Sequence, residues 1–240
     1  MGNLKVILER LDSAETENLT LEEAVREAVS GDTITLNEGV YKLKETLVID
    51  HASLTLKGQG AEKSIIASAA GGCVVRFVGA YFWTTQNIGF QHTGKRWANV
   101  VEVDGNIIDH QRNARIRADA CSFSGGKRRK AVKRGGAGLL VRGHTEGEVK
   151  NCEAYNNEMA GIKVSNHAHP TLSTNVCRDN RVAGIAYDEY AAGLATSNKC
   201  HRNKYGIVVL SEAKPQLNSN TFWRSSRFGI IDWRNGDLDE

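Results

Sequence analysis

The stretch that decides the fold is GIKVSNHAHPTLSTNVCRDN, residues 161–180, together with its near copy GIVVLSEAKPQLNSNTFWRS, residues 206–225. Each stretch starts with a Gly-Ile-x-Val-like unit. A fixed period in the twenties is typical of a solenoid, in which each repeat buries its apolar side only against its neighbours. A repeat of 22 or 23 residues has the length of one coil of three short strands joined by turns. Neighbouring coils are then about 4.8 Å apart. The units recur at spacings of 23, 23, 22 and 23 residues, at Gly138-Leu139, Gly161-Ile162, Gly184-Ile185, Gly206-Ile207 and Gly229-Ile230.

Alignment of the repeats on these glycines predicts which side chains stack from coil to coil. One inward column contains Phe123, Ala154, Cys177, Cys200 and Phe222. Two further columns contain Cys121, Cys152, Asn175, Asn198 and Asn220, and Asn157, Asn180, Asn203 and Ser225. We interpret the Asn columns as turn ladders, because stacked amides bond to each other and Asn tolerates a positive φ; the alternative is a polar binding track. The five cysteines are predicted to be free thiols that fill the core.

The N-terminal segment predicts a cap on the solenoid. Residues 19–30, LTLEEAVREAVS, have the pattern of a short amphipathic helix, and Thr20 and Glu23 have capping-box spacing. Such a helix would cover the open end of the first coil, where strand edges are otherwise exposed. We therefore divide the chain into an N-terminal segment with the capping helix (1–32) and a parallel β-helix (33–240). The strand register of residues 33–118 stays open at this stage.

The repeats also carry a family resemblance. Their shared pattern is Gly-Ile-x-Val, then Ala-x-Pro-x-Leu, then Asn-x-apolar-x-x-Asn, here at Gly161, Ile162, Val164, Ala168, Pro170, Leu172, Asn175, Cys177 and Asn180. This pattern resembles the parallel β-helix repeats of the pectin-lyase-like superfamily, in particular those of carbohydrate-binding and sugar-hydrolase modules and of F-box adaptors. Residues 21–60 are similar to the usual start of such proteins. The resemblance implies an all-β, right-handed parallel β-helix, but the superfamily contains lyases, hydrolases, epimerases, adhesins and non-catalytic binding modules.

Composition limits the functional classes only weakly. Negative mean hydropathy and the absence of a signal-peptide pattern favour a cytoplasmic protein, and no apolar run is long enough for a membrane span. The formal net charge is +3, yet residues 112–134 contain nine basic residues and one acid. This asymmetry predicts a local surface for a polyanion rather than a generally basic protein. No cofactor and no metal are expected, and the sequence does not indicate the oligomeric state.

The densest part of this surface is KRRKAVKR, residues 127–134. The spacing from Phe123 to Ala154 exceeds one coil by eight residues, which predicts that this stretch is a loop projecting from a corner. Further cations and aromatic side chains are predicted near the same corner, interleaved in the manner that suits a polyanion. The alternative for these scattered cations is an ordinary solvated face, partly neutralised by Glu153, Glu158 and Asp179. The candidate binding residues are Lys127, Arg128, Arg129, Lys130, Lys133, Arg134, Arg178, Arg181, His201, Arg202, Lys204, Trp223, Arg224 and Arg227, with Tyr155 beside them.

Two other groups could carry chemistry. His144, His167, Tyr190 and Glu212 form one predicted corner column, with Glu146, His169, Asp188 and Glu189 near it; we interpret it as an exposed turn, the alternative being a metal or acid–base site. The acidic and basic residue types that a uronate lyase requires occur in one region, but they match no catalytic motif of that family. They are Asp104, Asp109, His110, Arg112, Arg115, Arg117 and Asp119.

The leading hypothesis is a non-catalytic binding or scaffold module whose basic face engages an acidic protein segment or another polyanion, such as an acidic glycan or nucleic acid. The alternative is a polysaccharide lyase or epimerase that acts on uronate-containing chains.

Overall fold

Three sheets of short strands wind around one core in the computed structural model, which describes residues 4–13, 16–105, 113–129, 131 and 134–233. The chain visits the sheets in turn, so that each coil contributes one strand to each. From β3 onwards the pairing within every sheet is parallel. This is the parallel β-helix that the period of the repeats predicts.

Sheet 1 has the order β2-β1-β3-β6-β9-β12-β17-β20-β23-β26. Its strands are β1 (Val6–Glu9), β2 (Thr16–Leu19), β3 (Thr33–Leu36), β6 (Thr55–Lys57), β9 (Phe82–Gln86), β12 (Ala114–Asp119), β17 (Thr145–Lys150), β20 (Thr171–Ser173), β23 (Leu194–Thr196) and β26 (Gln216–Asn218). Sheet 2 consists of β4 (Gly39–Leu43), β7 (Ser64–Ser68), β10 (Gly89–His92), β13 (Ser122–Ser124), β18 (Glu153–Tyr155), β21 (Val176–Arg178), β24 (Lys199–His201) and β27 (Thr221–Trp223).

Sheet 3 contains the Gly-Ile strands. It consists of β5 (Leu47–Ile49), β8 (Gly72–Val78), β11 (Ala98–Gly105), β16 (Leu139–Gly143), β19 (Ala160–Val164), β22 (Ala183–Tyr187), β25 (Tyr205–Leu210) and β28 (Ile230–Trp233). Ile162 is the register partner of Ile185, and Ile185 is the partner of Ile207. The predicted stacking of residues one repeat apart is thereby confirmed.

The N-terminal end of the solenoid is covered as predicted. Helix α1 (Leu21–Glu27) begins at Thr20, whose hydroxyl accepts from the backbone N–H of Glu23, and the Glu23 carboxylate accepts from the backbone of Thr20. The helix ends three residues before the predicted end at residue 30. Its apolar face is buried in the main core, and β1 and β2 add an antiparallel hairpin to sheet 1. The described residues contain no helix of the length and apolarity that a membrane crossing requires.

The core and its polar ladders also follow the predicted columns. Phe123, Ala154, Cys177, Cys200 and Phe222 are successive register partners in sheet 2. All five cysteines are free and buried. Within the Asn columns, each amide bonds to the next; for example, Asn175 Nδ2 lies 3.0 Å from Asn198 Oδ1. Each ladder also satisfies backbone groups that the turns would otherwise leave unpaired inside the core.

One detail of the turn prediction is wrong. The positive φ at these corners does not belong to the buried Asn residues. It falls one residue earlier, at Thr174 (φ 55°) before Asn175 and at Asp179 (φ 56°) before Asn180. The buried Asn thus contributes an amide that both donates and accepts hydrogen bonds, whereas the residue before it adopts the left-handed backbone conformation.

The described ends of the eight-residue insertion pair with each other. β14 (Arg128–Arg129) pairs antiparallel with β15 (Arg134–Gly135), and Lys127 makes a bridge to Ala98 in β11. These strands lie at the corner between sheets 2 and 3, as the sequence predicts, and the chain rejoins the coil before Leu139. We call the described residues 127–129, 131, 134 and 135 the basic hairpin.

Candidate functional site

The base of the basic hairpin is tied to the next coil through Glu158. The Glu158 carboxylate accepts from the backbone N–H of Arg128 at 2.9 Å and from Lys127 Nζ at 3.2 Å. Partial burial raises the pKa of Glu158, but these two donors outweigh it and hold the pKa below its ordinary value. The hairpin is therefore fixed in direction, with Arg129 exposed. Lys130 and Lys133 lie outside the described residues, and Arg134 contributes its backbone to β15.

A groove of about 650 Å³ lies beside this hairpin on the outer face of sheet 3. Gly135 and Ala137, where the hairpin rejoins the coil, form one wall together with Trp97. The groove extends from Thr46, beside β5, to Glu189, which follows β22. At about 4.8 Å per strand, these five strand spacings correspond to about 24 Å. It has the dimensions to hold an extended chain rather than a compact ligand.

Three charged residues in the floor of the groove, Arg76, Glu102 and Arg142, form a compact cluster with the buried Asp104. Arg76 in β8 and Arg142 in β16 flank β11, which presents Glu102 and Asp104 on the same outward face. Asp104 Oδ2 accepts from Arg76 Nη2 at 2.9 Å and from Arg142 Nη2 at 2.5 Å. Glu102 Oε1 lies 3.5 Å from Arg76 Nε and 3.2 Å from Arg142 Nε. We call these residues the arginine–carboxylate cluster.

Burial in the cluster is unequal. The side chains of Asp104 and Glu102 are 5% and 13% exposed, whereas those of Arg76 and Arg142 are 37% and 33% exposed. The guanidinium groups thus cover the carboxylates and face the groove. A carboxylate or sulfate of a ligand would meet the cations first, and bidentate contact with arginine is the favoured geometry for such groups.

The sequence prediction missed this cluster. Arg76, Glu102 and Asp104 lie in coils whose register the repeat pattern does not define, so they could not be placed beside Arg142, which follows the Gly138-Leu139 unit. The available signal was the alternation in VVEVD, residues 100–104, where two acids share one face of a strand whose other face is apolar. Asp104 appeared only among the lyase candidates.

An outward-facing column of planar side chains is stacked on sheet 2, and its members are Tyr155, Arg178, His201 and Trp223. The Arg178 guanidinium carbon lies 4.5 Å from the ring centroid of Tyr155, and the rings of His201 and Trp223 stack at 4.3 Å. Burial and the nearby Arg202 lower the pKa of His201. Because His201 is 8% exposed, this residue supports the stack rather than offering a contact surface, while Trp223 stays exposed.

Two of the predicted cations in this strip are neutralised by internal pairs. Asp179 accepts from Arg202 Nε at 2.6 Å and Nη2 at 2.7 Å, and from Arg178 Nη1 at 2.9 Å. Arg178 also pairs with Glu153. These contacts, with Arg202 first, hold the pKa of Asp179 well below its usual range. Because the pKa of Asp179 is lower in the folded than in the unfolded state, its ionised form stabilises the fold at pH values above the ordinary carboxyl pKa. This stabilisation is lost as the pH falls through the pKa of the folded state.

We expect Arg202→Met to raise the pKa of Asp179 toward the ordinary carboxyl range, because the bidentate partner is lost. The carboxyl carbon chemical shift of Asp179, followed by NMR against pH, measures this change. Arg224→Met is the matched control. Arg224 occupies the position equivalent to Arg202 in the following coil and makes no ion pair among the described residues. An unchanged titration of Asp179 in the Arg202 variant would contradict the assignment.

The remaining predicted cations lie at the same corner as the hairpin. Arg181, Lys204 and Arg224 border a shallow depression between sheets 2 and 3, and Arg227 follows on the adjacent turn. Arg181, Arg224 and Arg227 are exposed and make no ion pair with any described residue. They extend the positive surface from the basic hairpin toward the last coil.

The other two candidate groups are placed differently. The rings of His144, His167 and Tyr190 stack at 5.2 Å on the corner between sheets 3 and 1, as the spacing predicts. Within the described ranges, no group of three or more His, Cys, Asp or Glu residues is arranged to hold a metal. Of the lyase candidates, Arg115, Arg117 and Asp119 lie on sheet 1 and Asp104 on sheet 3, so these four do not form one site. Asp109, His110 and Arg112 lie outside the described residues.

Comparisons with known proteins address the fold. One solved structure with a similar fold is the ORF18 protein of Geobacillus virus E2, with 11% sequence identity and a TM-score of 0.38 over 90% of this chain. The chain spans 58% of the length of that protein. No curated protein sequence matches the chain. The family model described as the right-handed beta helix region matches residues 78–239. With most of its length matched and its three parallel sheets wound into a solenoid, the chain belongs to the right-handed β-helix family.

Proposed function

We propose that this protein is a non-catalytic binding module that holds an acidic glycan in the groove on sheet 3. The observation that carries the proposal is the groove itself, which has Arg76 and Arg142 in its floor and is lined by Gly135 at the base of the basic hairpin. The hairpin supplies long-range attraction and the arginines supply contacts of defined geometry.

The polar character of the groove favours a glycan over the other polyanions. Glu102, Asn99 and Glu189 also line the groove, and their oxygens can accept hydrogen bonds from sugar hydroxyls. An acidic glycan presents both such donors and carboxylates. A nucleic acid presents a dense row of phosphates, which the acidic side chains would repel. An acidic peptide lacks the closely spaced hydroxyls.

The direct test is binding to polygalacturonate, with poly-glutamate and single-stranded DNA as alternative polyanions, measured by calorimetry at several salt concentrations. We expect polygalacturonate to bind more tightly than the other two at equal ionic strength. Tighter binding of poly-glutamate or DNA would overturn the choice of a glycan, and a lack of binding to all three would overturn the proposal.

Replacement of Lys127, Arg128 and Arg129 by Gln tests the hairpin. We expect the affinity for polygalacturonate to fall by about tenfold at low salt. We also expect the dependence of log K on log salt to become shallower by about two to three, because each of the three lost ionic contacts reduces that slope by slightly less than one. The matched control replaces Lys42, Lys44 and Lys57 by Gln, three exposed cations in the first coils. Equal losses in both variants would show a nonspecific charge effect.

The second candidate function is cleavage or epimerisation of uronate chains. It is favoured by the presence of Glu102 between two guanidinium groups on the floor of the groove, with the Asp104 carboxylate bound to both arginines. Both carboxylates are held by the arginine side chains, however, and are only 5% and 13% exposed, which opposes direct proton transfer to or from a substrate. Incubation with polygalacturonate and calcium distinguishes the two functions, because a lyase generates an absorbing unsaturated product and a binding module does not. The cytoplasmic location stays a prediction from the sequence.

A further inference from the structure

Trp97 lies in the wall of the groove, on the side of the basic hairpin. Among the described residues that line the groove, it is the one aromatic side chain. Trp97 directly precedes β11, the strand that carries Glu102 in the floor. Its indole is partly exposed and makes no hydrogen bond with a described residue. An aromatic ring with an exposed surface inside a binding groove is available for contact with a ligand.

The base of the basic hairpin holds this indole in place. A Cβ on Gly135 would lie 3.2 Å from Trp97 Cε3, so the six-membered ring of the indole packs against Gly135. Gly135 has a φ of 76°, a left-handed conformation that favours glycine. The backbone around Trp97 is fixed as well. Its carbonyl accepts from the backbone N–H of Gly72, and the next residue, Ala98, exchanges two backbone hydrogen bonds with Lys127. The position of the ring is therefore set before a ligand arrives, which lowers the cost of binding.

The wall and the floor of the groove differ in chemistry. The wall at the hairpin, formed by Trp97, Gly135 and Ala137, carries no charge. The floor presents the partly exposed guanidinium groups of Arg76 and Arg142. A uronate unit has two matching parts, a carboxylate and a pyranose ring whose C–H groups form an apolar face. The carboxylate fits the floor, and the C–H face fits an aromatic wall because the face of an aromatic ring carries partial negative charge.

We infer that Trp97 is the residue on which a sugar ring of the ligand stacks, so that the groove recognises a pyranose ring as well as a carboxylate. This inference rests on the proposed function and assigns the residue that distinguishes an acidic glycan from an acidic peptide. A poly-glutamate chain offers carboxylates to the floor but no ring face to the wall. Selectivity for a glycan then depends on Trp97, whereas the attraction of any polyanion depends on the cations.

Binding of polygalacturonate by Trp97→Ala, measured by calorimetry at several salt concentrations, tests the inference. We expect the affinity to fall by about tenfold, because stacking on an aromatic side chain contributes on that scale. The dependence of log K on log salt is expected to stay as steep as in the unmodified protein, because no ionic contact is lost. Phe82→Ala is the matched control, since Phe82 is 44% exposed on sheet 1 and does not line this groove.

Poly-glutamate separates stacking from a merely structural role of Trp97. If the indole only shapes the wall at the hairpin, Trp97→Ala weakens the binding of both polymers by the same factor. We expect the loss for polygalacturonate alone. An equal loss for both polymers, or an affinity for polygalacturonate no lower than that of the Phe82 variant, would overturn the inference.

Trp97→Phe provides a second measurement that keeps an aromatic ring in the wall. We expect this variant to retain most of the affinity and to lose most of the change in tryptophan fluorescence that polygalacturonate causes in the unmodified protein. Persistence of the full fluorescence change would place the ligand away from Trp97 and contradict the inference. Circular dichroism shows whether each variant stays folded. Failure of the unmodified protein to bind polygalacturonate is a separate result, which would overturn the proposed function and this inference with it.

Discussion

Asn180→Ala is expected to lower the free energy of unfolding by about 3–5 kcal/mol, since it removes the centre of a buried hydrogen-bonded network. Asn180 is 2% exposed. Its Oδ1 accepts from the backbone N–H of Asn157 at 3.2 Å and from Asn157 Nδ2 at 2.9 Å. Its Nδ2 donates to the Ala154 carbonyl at 3.0 Å and to Asn203 Oδ1 at 3.1 Å.

The size of this effect follows from what the substitution leaves behind. Ala cannot satisfy the N–H of Asn157 or the carbonyl of Ala154, and each buried group without a partner costs about 1–3 kcal/mol. Urea denaturation followed by circular dichroism measures the loss. Asn218→Ala is the control, because Asn218 is exposed on β26 and its side chain bonds to no described residue. A loss for Asn180→Ala no larger than that of the control would show that the ladder does not hold the coils together.

The sequence predicts the fold because glycine recurs at one position in each coil from Gly138 onwards. Gly161, Gly184 and Gly206 illustrate the reason: a Cβ on Gly184 would lie 2.7 Å from Cys200 Sγ and 2.8 Å from the Gly206 carbonyl. No larger residue fits, so the spacing of the glycines reports the pitch of the coil directly. The Asn residues of the two ladders recur at equally regular positions, and the predicted bonding of each amide to the next is confirmed.

The candidate site could be predicted only in part. The basic hairpin is visible as an interruption of the period, and its position at a corner follows from the register around it. The groove depends instead on Arg76 and Glu102, which lie in coils with uneven spacing and no shared motif, together with Arg142 in the first regular coil. Their juxtaposition arises from strand pairing between β8, β11 and β16. The internal pairs of Arg178 and Arg202 with Asp179 and Glu153 agree with the alternative that the sequence offers for these cations, a solvated face partly neutralised by nearby acids.

Arg76→Met/Arg142→Met is expected to lower the free energy of unfolding by about 3 kcal/mol, because the carboxylates of Glu102 and Asp104 lose the guanidinium groups that cover them. Met keeps the length and apolar contacts of the arginine stems, so the change is mainly electrostatic. The further substitutions Glu102→Gln and Asp104→Asn remove the buried negative charge. We therefore expect the fourfold variant to recover most of the lost stability.

Binding to polygalacturonate separates a structural role of the cluster from a role in ligand recognition. If the arginines contact the ligand, both the double and the fourfold variants lose at least about tenfold in affinity, although the second is as stable as the unmodified protein. If the arginines only neutralise the carboxylates, affinity returns together with stability in the fourfold variant. Recovery of both properties would remove Arg76 and Arg142 from the proposed site and leave the hairpin as its cationic part. Because the guanidinium groups are the more exposed members of the cluster and lie on the groove side, we expect stability to return without affinity.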